Sequence, residues 1–131
     1  MRLLLILFYA GQLLAADLPP AFFRALHAVE TGGRKGAVLG DRGRALGPLQ
    51  IHYGYWLDSG MSGRYEDCAD YGYSCRVVNA YLRAYAPRAV KRRDYQTLAR
   101  VHNGGPDGAR KTAAKQYWRK VKACLTRQHN L

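Results

Sequence analysis

Two carboxylates bracket a glycine-rich turn in the stretch VETGGRKGAVLGDRGRALGPLQI, residues 29–51. Glu30 and Glu66 are the only glutamates in the chain, so chemistry that needs a glutamic acid has few candidates. Glu30 follows Leu26 by four residues and Phe23 by seven, which puts it at the end of the apolar side of a helix. Partial desolvation and the negative end of the helix dipole both oppose ionisation there, so the group tends to keep its proton, as a general acid must. Asp41 sits among Gly40, Arg42, Gly43 and Arg44, where cations and open backbone N–H groups favour the ionised form. A protonated acid and an ionised carboxylate, kept apart by environment, suit glycosidic bond cleavage: one protonates the leaving oxygen while the other attacks or stabilises the sugar cation.

Two further stretches offer binding groups. His52, Tyr53, Gly54, Tyr55, Trp56, Leu57 and Asp58 put aromatic faces beside polar tips; rings stack on the C–H faces of sugars and the tips hold hydroxyl and acetamido groups. His102, Asn103 and Gly104 stand at the head of HNGGP, where glycine leaves the backbone open to a ligand. Taken singly, Tyr55 and Trp56 also read as core filling, and Asn103 with Gly104 as a helix stop.

Helices must carry most of these groups. Pro19 and Pro20 are placed to open one, because a first turn has no use for the missing N–H. Phe22, Leu26 and Val29 form its stripe, with Phe23 and Ala25 beside them, and Thr31, Gly32 and Gly33 end it. Residues 34–51 are rich in Gly and Arg and read as a small hairpin or irregular loop. A turn-prone stretch, SGMSGRYEDCADYGYS, precedes Val78, Tyr81, Leu82 and Tyr85, which recur at helical spacing as far as Pro87. Asp94 is placed to cap the helix of Tyr95, Leu98, Val101 and His102, which breaks from Asn103 to Pro106. Ala114, Tyr117, Val121 and Cys124 mark a last amphipathic helix. There is no internal repeat, and the expected fold class is α+β, mainly α, with a small β or irregular lobe.

The opening MRLLLILFYAGQLLAA has one cation, an apolar stretch and small residues at Ala15 and Ala16, the pattern of a secretory signal peptide. Gly11 and Gln12 interrupt it, short of the ~18 to 20 apolar residues of a membrane span. Residues 1–16 are therefore expected to be removed, leaving 17–131 as one secreted or periplasmic domain without a stable membrane anchor. The formal charge of +12 raises the local concentration of polyanions such as nucleic acid, anionic lipid or wall polymer, and equally fits a solvated basic face. Three cysteines are an odd number: Cys68 and Cys75 are spaced to close a short disulfide loop, leaving Cys124 over. No CxxC occurs and the four histidines lack ligand spacing, so neither a metal nor another cofactor is expected.

In their order along the chain, VETGG, GD, GPLQI, HYGYWLD, AYLRAY, ARVHNGGPDG and YWRKVKAC resemble the invertebrate-type (destabilase-like) lysozymes and their bacterial relatives, from about Ala25 to Cys124. GPxQI, YWxD and RxHNGGPxG are specific in combination. The resemblance implies an α+β lysozyme-like fold and a muramidase that hydrolyses the β-1,4 bond between N-acetylmuramic acid and N-acetylglucosamine in peptidoglycan. It implies Glu30 as proton donor, Asp41 as nucleophile or cation stabiliser, and sugar contacts along His52 to Asp58, at Tyr81, and at His102, Asn103 and Gly104. The enzyme is expected to act as a monomer on peptidoglycan, with an antimicrobial, bacteriolytic effect and no nucleic-acid partner.

The chain also departs from the family. Most of the family's cysteines are missing, and the loop from Asp41 to Gly47 is one residue short. Some animal members have an isopeptidase activity that uses a serine in this loop and a lysine after Gln-Ile. Residues 41–51 hold no serine and His52 follows Gln50 and Ile51, so that activity is not expected. A lytic transglycosylase using Glu30 alone is the nearest enzymatic alternative, and a non-enzymatic cationic wall- or membrane-binding protein is the alternative that net charge would support.

Overall fold

The computed structural model describes residues 18–130. The expected signal peptide lies outside the described residues. Among those described, no helix is long and apolar enough to cross a membrane.

Helix α1, Pro20–Thr31, begins behind an extended Pro19 and ends where Gly32 turns left-handed at φ 65°. The N–H groups of Gly32 and Gly33 then close on the carbonyls of Ala28 and His27. Phe22, Phe23, Ala25 and Leu26 are buried, as the stripe requires, and Phe22 stacks on Tyr95 with ring centroids 5.5 Å apart.

The glycine-rich stretch that follows is a small antiparallel sheet in the order β1 (Leu39–Gly40), β2 (Ala45–Leu46) and β3 (Ile51–His52). Leu39 pairs with Leu46, and Leu46 in turn with Ile51. A 3₁₀ turn, Asp41–Gly43, joins β1 to β2. Gly47 is held at φ 86°, and a Cβ there would lie 1.9 Å from the Cys68 carbonyl oxygen, so only glycine lets the two backbones approach. The Thr31 hydroxyl donates to the Pro48 carbonyl at 3.0 Å and ties the end of α1 to the sheet lobe.

The rest is helical. The HYGYWLD stretch forms α2, Tyr53–Ser59. The turn-prone region after it is more regular than its composition implies: it holds a 3₁₀ turn, Tyr65–Ala69, and the start of α3, Tyr71–Tyr85. The Asp70 carboxylate accepts from the Tyr73 N–H at 2.8 Å and so opens α3 ahead of its apolar stripe. Pro87 ends α3 and also opens the short α4, Pro87–Arg92. Asp94 caps α5, Tyr95–Gly104, through the Thr97 N–H. That helix runs through Asn103 and Gly104 and stops at Gly105, φ 81°. After a 3₁₀ turn, Gly108–Arg110, helix α6 spans Thr112–His129.

Both lobes share one core, in which Phe22 and Leu26 of α1 join Leu49 and Ile51 of the sheet lobe, Val77, Val78 and Leu82 of α3, Leu98 of α5 and Val121 of α6. Each such side chain contributes about 1.5 to 3 kcal/mol when fully buried.

The expected Cys68–Cys75 disulfide is not formed, and all three cysteines are free. The 3₁₀ turn sends Cys68 into the core, whereas Cys75 lies on α3, half-buried and hydrogen-bonded to Tyr71. Burial, followed by the charges of Asp67 and Glu66, pushes the Cys68 thiol up to about 12. Burial likewise pushes Cys75 up to about 11. Both are therefore inert packing groups at neutral pH.

Candidate active site

The end of α1, the β1–β2 turn, β3, the start of α2 and the end of α5 enclose a cleft of about 310 Å³. Glu30, Asp41, His52, Tyr55, His102 and Asn103 line it, together with Ala45 and Gln50. Six of the candidate residues, drawn from four separate stretches, thus share one concave surface.

Glu30 forms the inner wall. Its side chain is 19% exposed, and the Tyr117 hydroxyl donates to Oε1 at 2.7 Å. His102 Nε2 lies 3.4 Å from the same oxygen, and the His102 side chain is only 4% exposed. The other ring nitrogen, Nδ1, is 2.9 Å from the Tyr55 hydroxyl. Tyr55 in turn stacks on Tyr81, with centroids 3.7 Å apart and planes at 14°. Burial, with the neighbouring Tyr81 phenol and Glu30 carboxylate adding to it, pushes the Tyr55 phenol well above 10.0. Burial and Glu30 do the same to Tyr117. Both phenols therefore remain donors. With Tyr55 donating to Nδ1, the ring proton of a neutral His102 sits on Nε2 and points at Glu30; this tautomer is assigned from the network. Both contacts fall on Oε1, which leaves Oε2 as the oxygen open to a ligand.

Asp41 forms the outer wall. It and Arg42 both take positive φ, 47° and 59°, a region that aspartate visits more readily than most residues. Asp41 Oδ1 lies 3.2 Å from Arg44 Nη2, and Oδ2 lies 3.4 Å from His52 Nε2. These partners are themselves half or more exposed, so solvent screens the pairs. Gln50 braces the wall from a positive φ of 52°, its amide donating to the carbonyls of Val38 and Gly47 at 3.1 and 2.9 Å.

The remaining candidates lie away from the cleft lining. Because residues 53–59 are a helix, the HYGYWLD side chains radiate instead of forming one face. Tyr55 points inward, whereas the Trp56 indole donates to the Tyr73 hydroxyl at 2.8 Å and packs against the core. Tyr53, 55% exposed, leans on Trp56 and Tyr65; Leu57 is 53% exposed, and Gly54 and Asp58 are also exposed. Tyr81 stands behind Tyr55 as its buried support. Gly104 offers its carbonyl to Lys111 Nζ at 2.5 Å. Tyr117, Ala45 and Gln50 are the site members not singled out from the sequence as binding or catalytic groups. The signal available for Tyr117 was a phenol on a buried stripe, since a buried hydroxyl requires a partner.

This site can be set beside known proteins. A family model described as Destabilase matches residues 23–124. A lysozyme of Ostrea edulis is 37% identical over 89 residues, covering 66% of this chain and 65% of that protein. A lysozyme of Magallana gigas is 34% identical over 109 residues, covering 81% of this chain and 80% of its own. The chain thus spans just under two thirds of the Ostrea relative. Among solved structures, the Meretrix lusoria lysozyme in complex with Aeromonas hydrophila PliI superposes with a TM-score of 0.69 at 27% identity, covering 81% of this chain and 89% of the other. The α+β arrangement is therefore lysozyme-like.

Proposed function

The chain belongs to the destabilase family of invertebrate-type lysozymes, and from that premise we propose that it is a secreted muramidase. Its substrate is peptidoglycan, and the bond cut is the β-1,4 link from N-acetylmuramic acid to N-acetylglucosamine. The observation that carries this reading is the meeting of Glu30 and Asp41 in one cleft, the first on a helix end and the second on a turn.

In this mechanism Glu30 is the general acid. Tyr117 and His102 fix its Oε1, so the proton passes from Oε2 to the leaving glycosidic oxygen. As the bond breaks, charge on the departing oxygen is neutralised and positive charge builds on the sugar ring. Asp41, paired with Arg44, faces that charge and either attacks the anomeric carbon or stabilises the cation. Water then completes hydrolysis and the proton returns to Glu30. Asn103 and His52, exposed on the cleft, bind hydroxyl and acetamido groups, while Tyr55 supplies an aromatic floor.

Purified peptidoglycan provides the test. Wild type is expected to release reducing muramic ends and Glu30→Gln to release almost none; equal activity would overturn the reading. Mass analysis checks the reaction type, because anhydro ends one water lighter would mean that the substrate's own acetamido group, and not water, attacks.

A further inference from the structure

No Asp or Glu follows Asp107, whereas Arg110, Lys111, Lys115, Arg119, Lys120, Lys122 and Arg127 do. None of these cations enters an ion pair among the described residues. At ~100° per residue, Lys115, Arg119 and Lys122 fall within ~60° of one another along α6, a little over a third of a turn from the buried row of Ala114, Tyr117 and Val121, and Lys111 stands just before them as the extended N-cap of the helix. All four are exposed. At ~1.5 Å per residue, Lys115 to Lys122 spans roughly 10 Å.

Its two ends give it a direction. Towards the C-terminus, Arg119, Lys122, Thr126 and Arg127 border a hollow of about 400 Å³. Towards the N-terminus, the Lys111 ammonium donates to the Gly104 carbonyl, and the residue before Gly104, Asn103, lines the cleft. The basic row therefore starts at the edge of the cleft and runs away from it along the helix whose other face supplies Tyr117 to Glu30. Cations scattered over a surface keep a protein soluble. Cations in register, without acids among them and continuous with a substrate cleft, make a field that holds an extended anionic chain.

We propose that Lys115, Arg119 and Lys122 form an extended subsite for the glycan strand that occupies the cleft. The strand leaves past Asn103 and Gly104, and its lactyl and peptide carboxylates lie along α6. This rests on the peptidoglycan reading above. It favours the substrate's own carboxylates over another polyanion because the row is continuous with the sugar site.

The test is the triple variant Lys115→Gln, Arg119→Gln, Lys122→Gln, none of whose positions lines the cleft. On peptidoglycan stripped of phosphodiester polymers, KM is expected to rise about tenfold at low ionic strength with kcat unchanged, on the scale of three exposed charge pairs. Kinetics on a neutral N-acetylglucosamine oligomer that fills only the cleft are expected to be unchanged. Added salt should raise the wild-type KM towards that of the variant. An unchanged KM on peptidoglycan, or an equal loss on the neutral oligomer, would overturn the proposal. So would a loss confined to walls that retain phosphodiester polymers, or to binding of duplex DNA. Co-sedimentation with insoluble peptidoglycan in a Glu30→Gln background reads the row without turnover. Weaker sedimentation of the triple variant there supports the row even if the wild type cuts nothing, so the two readings fail separately.

Discussion

The two walls of the cleft hold their carboxylates by different means. Glu30 stands at the end of a 12-residue helix, 19% exposed, with Tyr117 and His102 reaching the same oxygen from α6 and α5. Asp41 stands on a 3₁₀ turn, 46% exposed, and its partners Arg44 and His52 are 66% and 50% exposed. On the inner wall, contacts out of water decide where the carboxylate sits, because a buried polar group without a partner is costly. On the outer wall screened pairs add little, so the positive-φ turn and its β-ladder do the positioning. The contrast is between a carboxylate held by partners out of water and one held by the backbone that carries it.

Exchanging the acids tests this contrast most severely. Glu30→Gln is expected to lower turnover of peptidoglycan by about 10³-fold or more, and Asp41→Asn by about 10²-fold, read from reducing ends with the fold checked by circular dichroism. An Asp41→Asn enzyme as active as wild type would remove Asp41 from the mechanism and leave the inner wall alone.

Tyr117→Phe probes the inner wall without touching either acid. Loss of the hydroxyl is expected to cost about tenfold in kcat and about 1 kcal/mol of stability, measured by kinetics and urea unfolding. A change in KM alone would assign Tyr117 to substrate binding.

Alkaline titration reaches the same wall through its phenols. Folding holds Tyr55 and Tyr117 above 10.0, and Cys68 and Cys75 near 12 and 11 against 9.0. Above those ordinary values the unfolded chain releases protons that the native chain retains. The stability these groups contribute is complete below about pH 9 and declines as the pH rises through the native values. Urea midpoints should therefore fall from about pH 9 upwards, thiols first and phenols next, and fall less steeply in Tyr117→Phe.

The smallest effect is expected on the outer wall. Arg44→Ala removes an exposed pair and should change stability by about 0 to 1 kcal/mol. A larger loss in urea unfolding would mean that the pair, and not the turn, holds Asp41.

Much of the helical frame was legible because its signals are local. Pro20, Gly32, Asp94 and Pro87 mark boundaries through missing donors, left-handed turns and caps, each acting within a turn of chain. Spacing put Phe22 and Leu26 on one buried side for the same reason. The HYGYWLD stretch was harder to read: composition flagged its rings as sugar-binding, but helical phase turns Tyr55 inward and Trp56 towards Tyr73. The cysteines misled more, since a spacing that suits a small loop also suits a 3₁₀ turn that buries Cys68 and a helix that carries Cys75 away from it.

By itself the sequence determined where α1 begins and ends, that Glu30 closes its apolar side, and that glycines turn the chain towards Asp41. Periodicity and backbone preference depend only on near neighbours. Only the tertiary structure decided that Tyr117, 87 residues from Glu30 along the chain, donates to it, and that His102 is a buried spacer between Tyr55 and Glu30. A phenol on an apolar stripe has the same pattern whether it meets a backbone carbonyl or a glutamate carboxylate. Which it meets depends on how α5 and α6 pack against α1, and that is fixed by the shared core and not by any short stretch of residues.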